Sequence, residues 1–162
     1  MRRFLGGLAV GLACGAGVVL AQENWKTPDP FAGKWRINLD KTVQFTGSKP
    51  RVEDITIKVE NGVQDYKNEY STSQAAPHVQ GYESKYNEPK WVPYMNYATG
   101  KPLMHVMTIK VDDRTHYRVI KRLDGTAGGV MMRRLSADGR SYSSIDLDIN
   151  GKTNYIRVFD RQ

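Results

Sequence analysis

Cysteine is almost absent from this 162-residue chain: there is one, Cys14, inside an apolar N-terminal stretch. Everything downstream is therefore without a disulfide, a thiolate nucleophile or a cysteine metal ligand. Helical signals are scarce too, since no long run past residue 21 repeats apolar residues at i, i+3, i+4 and i+7. Ser, His and Asp are present, but none sits in a nucleophile-elbow pattern, and nothing points to a cofactor. The one long apolar run is short and Gly-rich for a membrane span and has no second span behind it, so no transmembrane segment is expected in the mature chain.

That run, MRRFLGGLAVGLACGAGVVLAQ, begins with two arginines and ends Val19-Leu20-Ala21 before Gln22. Small residues three and one before a cut suit signal peptidase, so residues 1–21 read as a cleaved secretory signal and 22–162 as the mature chain. An exported protein, periplasmic or extracellular, is the expectation. Lipidation at Cys14 in "GLACG" is the alternative, weakened by Gly11 three positions before it; a twin-arginine signal is disfavoured by the residues flanking Arg2 and Arg3. About 140 mature residues fit one domain. The formal charge of +7 falls to +5 once Arg2 and Arg3 leave. Outside the cytoplasm such a charge suits anionic surfaces or small anionic molecules rather than nucleic acid.

What the mature chain has in quantity is hairpin punctuation. Asn61-Gly62, Asp124-Gly125, Asp138-Gly139 and Asn150-Gly151 each lie between runs of alternating polarity, the pattern of strands joined by tight turns. Closing the chain on these turns sets Ile57 opposite Tyr66, Tyr117 opposite Met132, Val119 opposite Val130, Met132 opposite Ile145, Val130 opposite Leu147 and Ile145 opposite Ile156. Met107, Ile109 and Val111 join the same face if Asp112-Asp113-Arg114 form a three-residue loop. A one-residue slip would reverse every side chain, so the shared apolar face supports the registers and predicts an inward aliphatic wall. About eight to ten strands in a simple meander favour an all-β, antiparallel, up-and-down barrel.

The stretch "FAGKWRINLDK" resembles the first strand of the lipocalin and fatty-acid-binding (calycin) superfamily, through Gly33-Lys34-Trp35. The final stretch from Arg133 to Gln162 is similar to the last two hairpins of small secreted bacterial lipocalin-like proteins. The resemblance implies a barrel whose floor is plugged by Trp35, with an Arg of the last strand, here Arg157, as its partner. By pattern alone Trp35, Ile37 and Leu39 share a face. Asp40 to Pro50 is too short and too rich in breakers for the two helices of the fatty-acid-binding proteins.

A barrel of this size holds one small ligand or is filled by side chains. With the aliphatic face inward, Trp35, Tyr66, His105, Met107, Tyr117 and Met132 become the wall of a pocket or part of a core. Arg134 falls on that face beside Thr115 and Ser143, either as the anchor of a ligand acid or as a residue at the wet rim. His105 and His116 lie on opposite faces, so no metal site is expected. His116, Arg133, Ser144 and Arg157 form one row on the other face, with Arg118 and Arg122 nearby, which reads as an outer basic or mixed-charge surface. The aromatic segment 78–102 reads as a lid, as an exposed platform of Trp91, Tyr94 and Tyr97, or as two twisted strands with packed tyrosines. The functional expectation is a non-enzymatic binding protein for a small lipophilic ligand, acidic if Arg134 is its anchor. The alternative is an envelope protein with a filled barrel that binds partners or glycans through its outer surface.

Overall fold

Asn61 and Gly62 both take positive φ, 50° and 75°, the geometry a two-residue hairpin turn requires. Their hairpin is one of a series in the computed structural model, which describes residues 28–73 and 76–162. Residues 1–21, expected to be a secretory signal, and Cys14 among them lie outside the described residues. Ten strands form: β1 (Gly33–Gln44), β2 (Val52–Glu60), β3 (Val63–Ser71), β4 (His78–Lys85), β5 (Val92–Asn96), β6 (Lys101–Asp112), β7 (Thr115–Lys121), β8 (Ala127–Leu135), β9 (Ser141–Leu147) and β10 (Thr153–Arg161). Each pairs antiparallel with its neighbours in sequence, and β10 returns to β1, closing the sheet into an up-and-down barrel. Among the described residues there is no helix, and the β1–β2 connection is a plain turn.

Each register read from the turns is present: Ile57 pairs with Tyr66, Tyr117 with Met132, Met132 with Ile145 and Ile145 with Ile156. Met107 and Ile109 pair with Val119 and Tyr117. The last three turns are longer than two residues yet keep these registers. In each an Asp carboxylate accepts a backbone N–H two residues on, from Thr126 to Asp124, Arg140 to Asp138 and Asn150 to Asp148, a side-chain imitation of a backbone turn.

The barrel closes at its floor. Trp35 is fully buried, its Nε1 donates to the Phe31 carbonyl at 2.9 Å, and its ring meets Tyr142 edge-on at 4.9 Å. Tyr142 stacks on Phe159 in turn, also at 4.9 Å. On the outer side of the Trp35 ring the Arg161 guanidinium lies 4.1 Å from its centroid, with Nη1 donating to the Ala32 carbonyl and Nε to the Gly139 carbonyl. Gly33 explains the motif: its φ is 139°, and a Cβ there would stand 2.7 Å from Arg161 Nη1. Only glycine allows both the backbone angle and the close approach. The Arg that meets the floor Trp is thus Arg161, not Arg157. Leu39 leaves the face of Trp35 and Ile37 and is 36% exposed, because the β1–β10 ladder breaks between Asn38 and Val43.

The expected inward face is reversed over β6 to β10. Val106, Thr108, His116, Arg118, Met131, Arg133, Leu135, Tyr142, Ser144 and Phe159 are buried inside, while Met107, Tyr117, Val119, Val130, Met132, Ile145, Leu147, Ile156 and Val158 stand half-buried on the outside. The cause is the closure: Ile37 pairs with Phe159 and Trp35 with Arg161, so the inward parity of β1 passes to Phe159 and Arg157, and from there around the sheet.

Replacing Trp35 by Ala removes the ring on which both chain ends meet. Burial of this kind is worth about 3–5 kcal/mol, and Trp35→Ala should lower the urea midpoint accordingly. An unchanged midpoint would mean that the floor does not hold the barrel closed.

Candidate functional site

The interior divides into two halves. Toward the floor it is filled by Phe31, Trp35, Ile57, Gln64, His116, Tyr142 and Phe159. Toward the opposite end, where the turns after β1, β3, β5, β7 and β9 gather, a cavity of about 150 Å³ remains. Its apolar wall includes Ile55, Tyr66, Tyr94, Met104, Ile120, Met131 and Phe159; its polar wall includes Glu53, Asn68, Arg118, Ser144, Asp146 and Arg157. The alternating pattern places these residues, since each is an inward position of its strand.

Arg118 is the centre of this wall. It is 6% exposed, and its guanidinium lies 5.4, 5.8 and 5.2 Å from the ring centroids of Tyr66, Tyr82 and Tyr94, a cation held against aromatic faces. Nη2 approaches the Met131 sulfur at 3.1 Å, and Nε has no hydrogen-bond partner among the described residues. Arg133, 1% exposed, sits nearer the floor. Its Nη2 donates to Gln64 Oε1 at 3.0 Å, while Nε and Nη1 have no partner among the described residues. Gln64 is a junction: Tyr82 donates to its Oε1 and its Nε2 donates to Tyr86. Among the described residues neither guanidinium has a carboxylate at ion-pair distance.

Arg157 differs, because its Nη1 donates to Glu53 Oε2 at 2.8 Å, and Asn68 donates to Glu53 Oε1 at 2.7 Å. Burial raises the Glu53 pKa, against the pull of Arg157 and Asn68. Apart from the Asp29–Lys110 pair near the floor, three guanidiniums, of Arg118, Arg133 and Arg157, therefore share the interior with the carboxylates of Glu53 and Asp146. A buried cation without a counter-charge costs several kcal/mol, and buried polar atoms without partners are rare enough in folded proteins to require an explanation. Arg118 opens onto a cavity and carries unused donors in a fixed fork. Such a group binds a carboxylate or another oxyanion.

Burial also raises the hydroxyl pKa of Tyr66, Tyr94 and Tyr142, which stay protonated and neutral. His116 moves the other way. Packed 4.2 Å from Phe31 and 4.8 Å from Tyr86 between ring centroids, it is pushed down to about 2, chiefly by burial and in part by the charges of Arg133 and Lys110. It is a neutral packing residue.

Of the residues expected to line a pocket, Trp35 and Tyr66 face inward, and Tyr66 touches the cavity. His105, Met107, Tyr117 and Met132 face outward and are half-buried. Arg134 is exposed on the outer face, donating to Thr115 Oγ1 at 2.8 Å, and is not an interior anchor. The row expected outside, His116, Arg133, Ser144 and Arg157 with Arg118, is the interior wall, whereas Arg122 is in an exposed turn. Segment 78–102 supplies twisted strands with packed tyrosines: Tyr82, Tyr86 and Tyr94 are buried, and Trp91 lies under Lys121 Nζ at 4.6 Å. No outer platform of Trp91, Tyr94 and Tyr97 forms, because Tyr94 points into the cavity. The signal that could have located the site is the row itself, one basic and polar side chain per strand at matched register across four strands.

Fold and site together define a closed ten-stranded up-and-down β-barrel with a cationic, tyrosine-walled chamber. No family model matches the sequence, and no curated protein does. Solved structures match in fold. A protein named REP1-NXSQ fatty acid transporter is 15% identical with a TM-score of 0.53, over 81% of this chain and 95% of its own. A point mutant of the fluorescent protein UnaG is 13% identical with a TM-score of 0.59, over 82% of this chain and 96% of its own.

The buried neutral His116 fixes a pH dependence. Between pH 6.5 and about 2 the unfolded chain takes up a proton at this residue that the folded chain refuses. Stability is thus lost as pH falls below 6.5, by up to about 1.4 kcal/mol per pH unit. In His116→Phe, which keeps a ring against Phe31 and Tyr86, the stability relative to the parent should be flat above pH 7 and should rise as pH falls from 6 to 4. Parallel urea-derived stabilities at all pH values would show that His116 takes up its proton in the fold as readily as in the unfolded chain, and would overturn its assignment as a buried neutral residue.

Proposed function

We propose that this protein is an exported, non-enzymatic carrier of a compact lipophilic acid, held in the open half of the barrel with its acid group on Arg118. The observation that carries this reading is the Arg118 guanidinium, buried on the cavity wall with an unpartnered Nε and no carboxylate at ion-pair distance among the described residues. Arg157 lines the same cavity, but its charge is engaged by Glu53. It serves as a second contact, reached once the ligand acid shares Arg157 with Glu53. Tyr66, Tyr94, Met104, Ile120 and Met131 surround the apolar part of the ligand.

Size narrows the class. A volume of about 150 Å³ accommodates a molecule near the size of benzene, so a short-chain or single-ring acid fits without rearrangement. That a protein of the same fold is named a fatty acid transporter supports an acid as cargo and leaves its length to this barrel's own walls. The secretory leader read in residues 1–21 supports export.

Replacing Arg118 by Met keeps the volume and removes the charge. Hydrogen bonds to a charged group are worth about 1.5–3 kcal/mol, so calorimetric titration with benzoate-sized and short-chain acids should show affinity ten- to a hundred-fold weaker in Arg118→Met. The ligand-free variant should be as stable as the parent or more so, since an unpaired buried charge has gone. Arg134→Ala should bind like the parent. Equal affinity in Arg118→Met, with the barrel folded, would remove the anchor role.

A further inference from the structure

The two ends of the barrel differ in a way that ligand binding does not require. Phe45, Leu123 and Ile149, at 57%, 54% and 56% exposure, are the tips of the turns after β1, β7 and β9, and Tyr97, 50% exposed, begins the turn after β5. All four turns lie at the open end; the Tyr97 ring folds back over Gly81 on the outer wall, but exposed Phe45, Leu123 and Ile149 on the other three are unusual for a surface that meets only water. At the floor end only Val111 among the described residues is large, apolar and exposed, while Trp91, covered in part by Lys121, lies on the outer wall.

Charge is divided the same way. The open-end turns carry Lys49, Arg51, Arg122 and Lys152, with Lys101 beside them at the start of β6. Their acids are Asp124 and Asp148, fewer than the bases around them. In the floor-end turns each base has an acid beside it: Lys90 with Glu88, Arg114 with Asp113, Arg140 with Asp138. The positive excess of the chain is thus concentrated around the mouth. Behind the Leu123 and Ile149 tips, an apolar groove of about 440 Å³ runs down the outer wall between Trp91, Val119, Val130 and Ile149.

We propose that the mouth is a docking surface for an anionic lipid bilayer. Apolar tips ringed by lysine and arginine match a membrane interface, where side chains such as Phe and Leu enter the headgroup region while basic residues meet lipid phosphates. The basic ring argues for lipid over a second copy of the chain, because two mouths face to face would oppose like charges. In this orientation the cavity opens toward the bilayer, so an amphipathic acid passes between membrane and barrel with little exposure to water. The proposal does not depend on which acid the cavity takes.

The test is flotation of the purified chain with vesicles of phosphatidylcholine alone and of phosphatidylcholine mixed with an equal amount of phosphatidylglycerol. Because the same N-terminal segment is present in every variant, differences between variants report on the mouth. The parent should float with the mixed vesicles and fall off as salt rises. Lys49→Glu with Arg122→Glu and Lys152→Glu should weaken this binding by about a hundred-fold or more. Phe45→Ser with Leu123→Ser and Ile149→Ser should weaken it about ten-fold or more, and Lys90→Glu with Arg140→Glu at the floor end should leave it unchanged. The substituted residues are exposed turn residues, and an unchanged thermal midpoint shows each variant folded. Rim variants that bind like the parent, a floor variant that weakens binding equally, or a dimer in light scattering that the Phe45, Leu123 and Ile149 changes dissolve would each overturn the proposal.

Discussion

The rest of this barrel depends on a contact between its two ends. Arg161 lies on the Trp35 ring, Gly33 leaves room for it, and the first strand is thereby locked to the last with Ile37 opposite Phe159. A sheet closed on itself has one parity: once one strand's inward residues are fixed, antiparallel pairing dictates every other strand's. Phe159 inward places Tyr142 inward, and Arg157, Ser144, Arg133 and Arg118 follow by pairing across β10, β9, β8 and β7. The floor contact thus determines the chemistry of a chamber in the other half of the molecule.

That chamber is costly to build. Arg118 and Arg133 are taken out of water, and the cation is stabilised by tyrosine faces, Gln64 and the Met131 sulfur rather than by a carboxylate. Aromatic faces offset desolvation only in part. Arg157 with Glu53 shows what a self-sufficient arrangement looks like in the same interior, and Arg118 lacks one. The residual charge is an open valence toward a ligand anion, set where the cavity begins. The outer face carries the complementary consequence, since aliphatic residues that would have filled a core stand half-buried on β6 to β10 instead.

Much of the fold was legible in the sequence. Asn61-Gly62 and the three later Asp/Asn-Gly pairs gave strand boundaries and pairings, because turn chemistry and the two-residue pleat constrain both. The site was legible only as an unassigned row. His116, Arg133, Ser144 and Arg157 were aligned correctly across four strands, but the aliphatic row beside them looked like the natural core. Hydrophobicity favours the aliphatic face inward strand by strand, and closure through Trp35 and Phe159 outweighs that preference. Arg134 and Arg133 are one residue apart, and that single step of the pleat separates a solvated surface residue from an interior cation.

What the sequence by itself determined is relative: which residues pair, which share a face, and that the strands follow one another in a meander. These are local properties, set by turns and alternation within a few residues of each other. Which of the two faces becomes the interior was decided only by the tertiary structure. Pairing leaves a sheet's two sides equivalent, and they become inside and outside only when Trp35 and Arg161, from opposite ends of the chain, meet at the floor and close it.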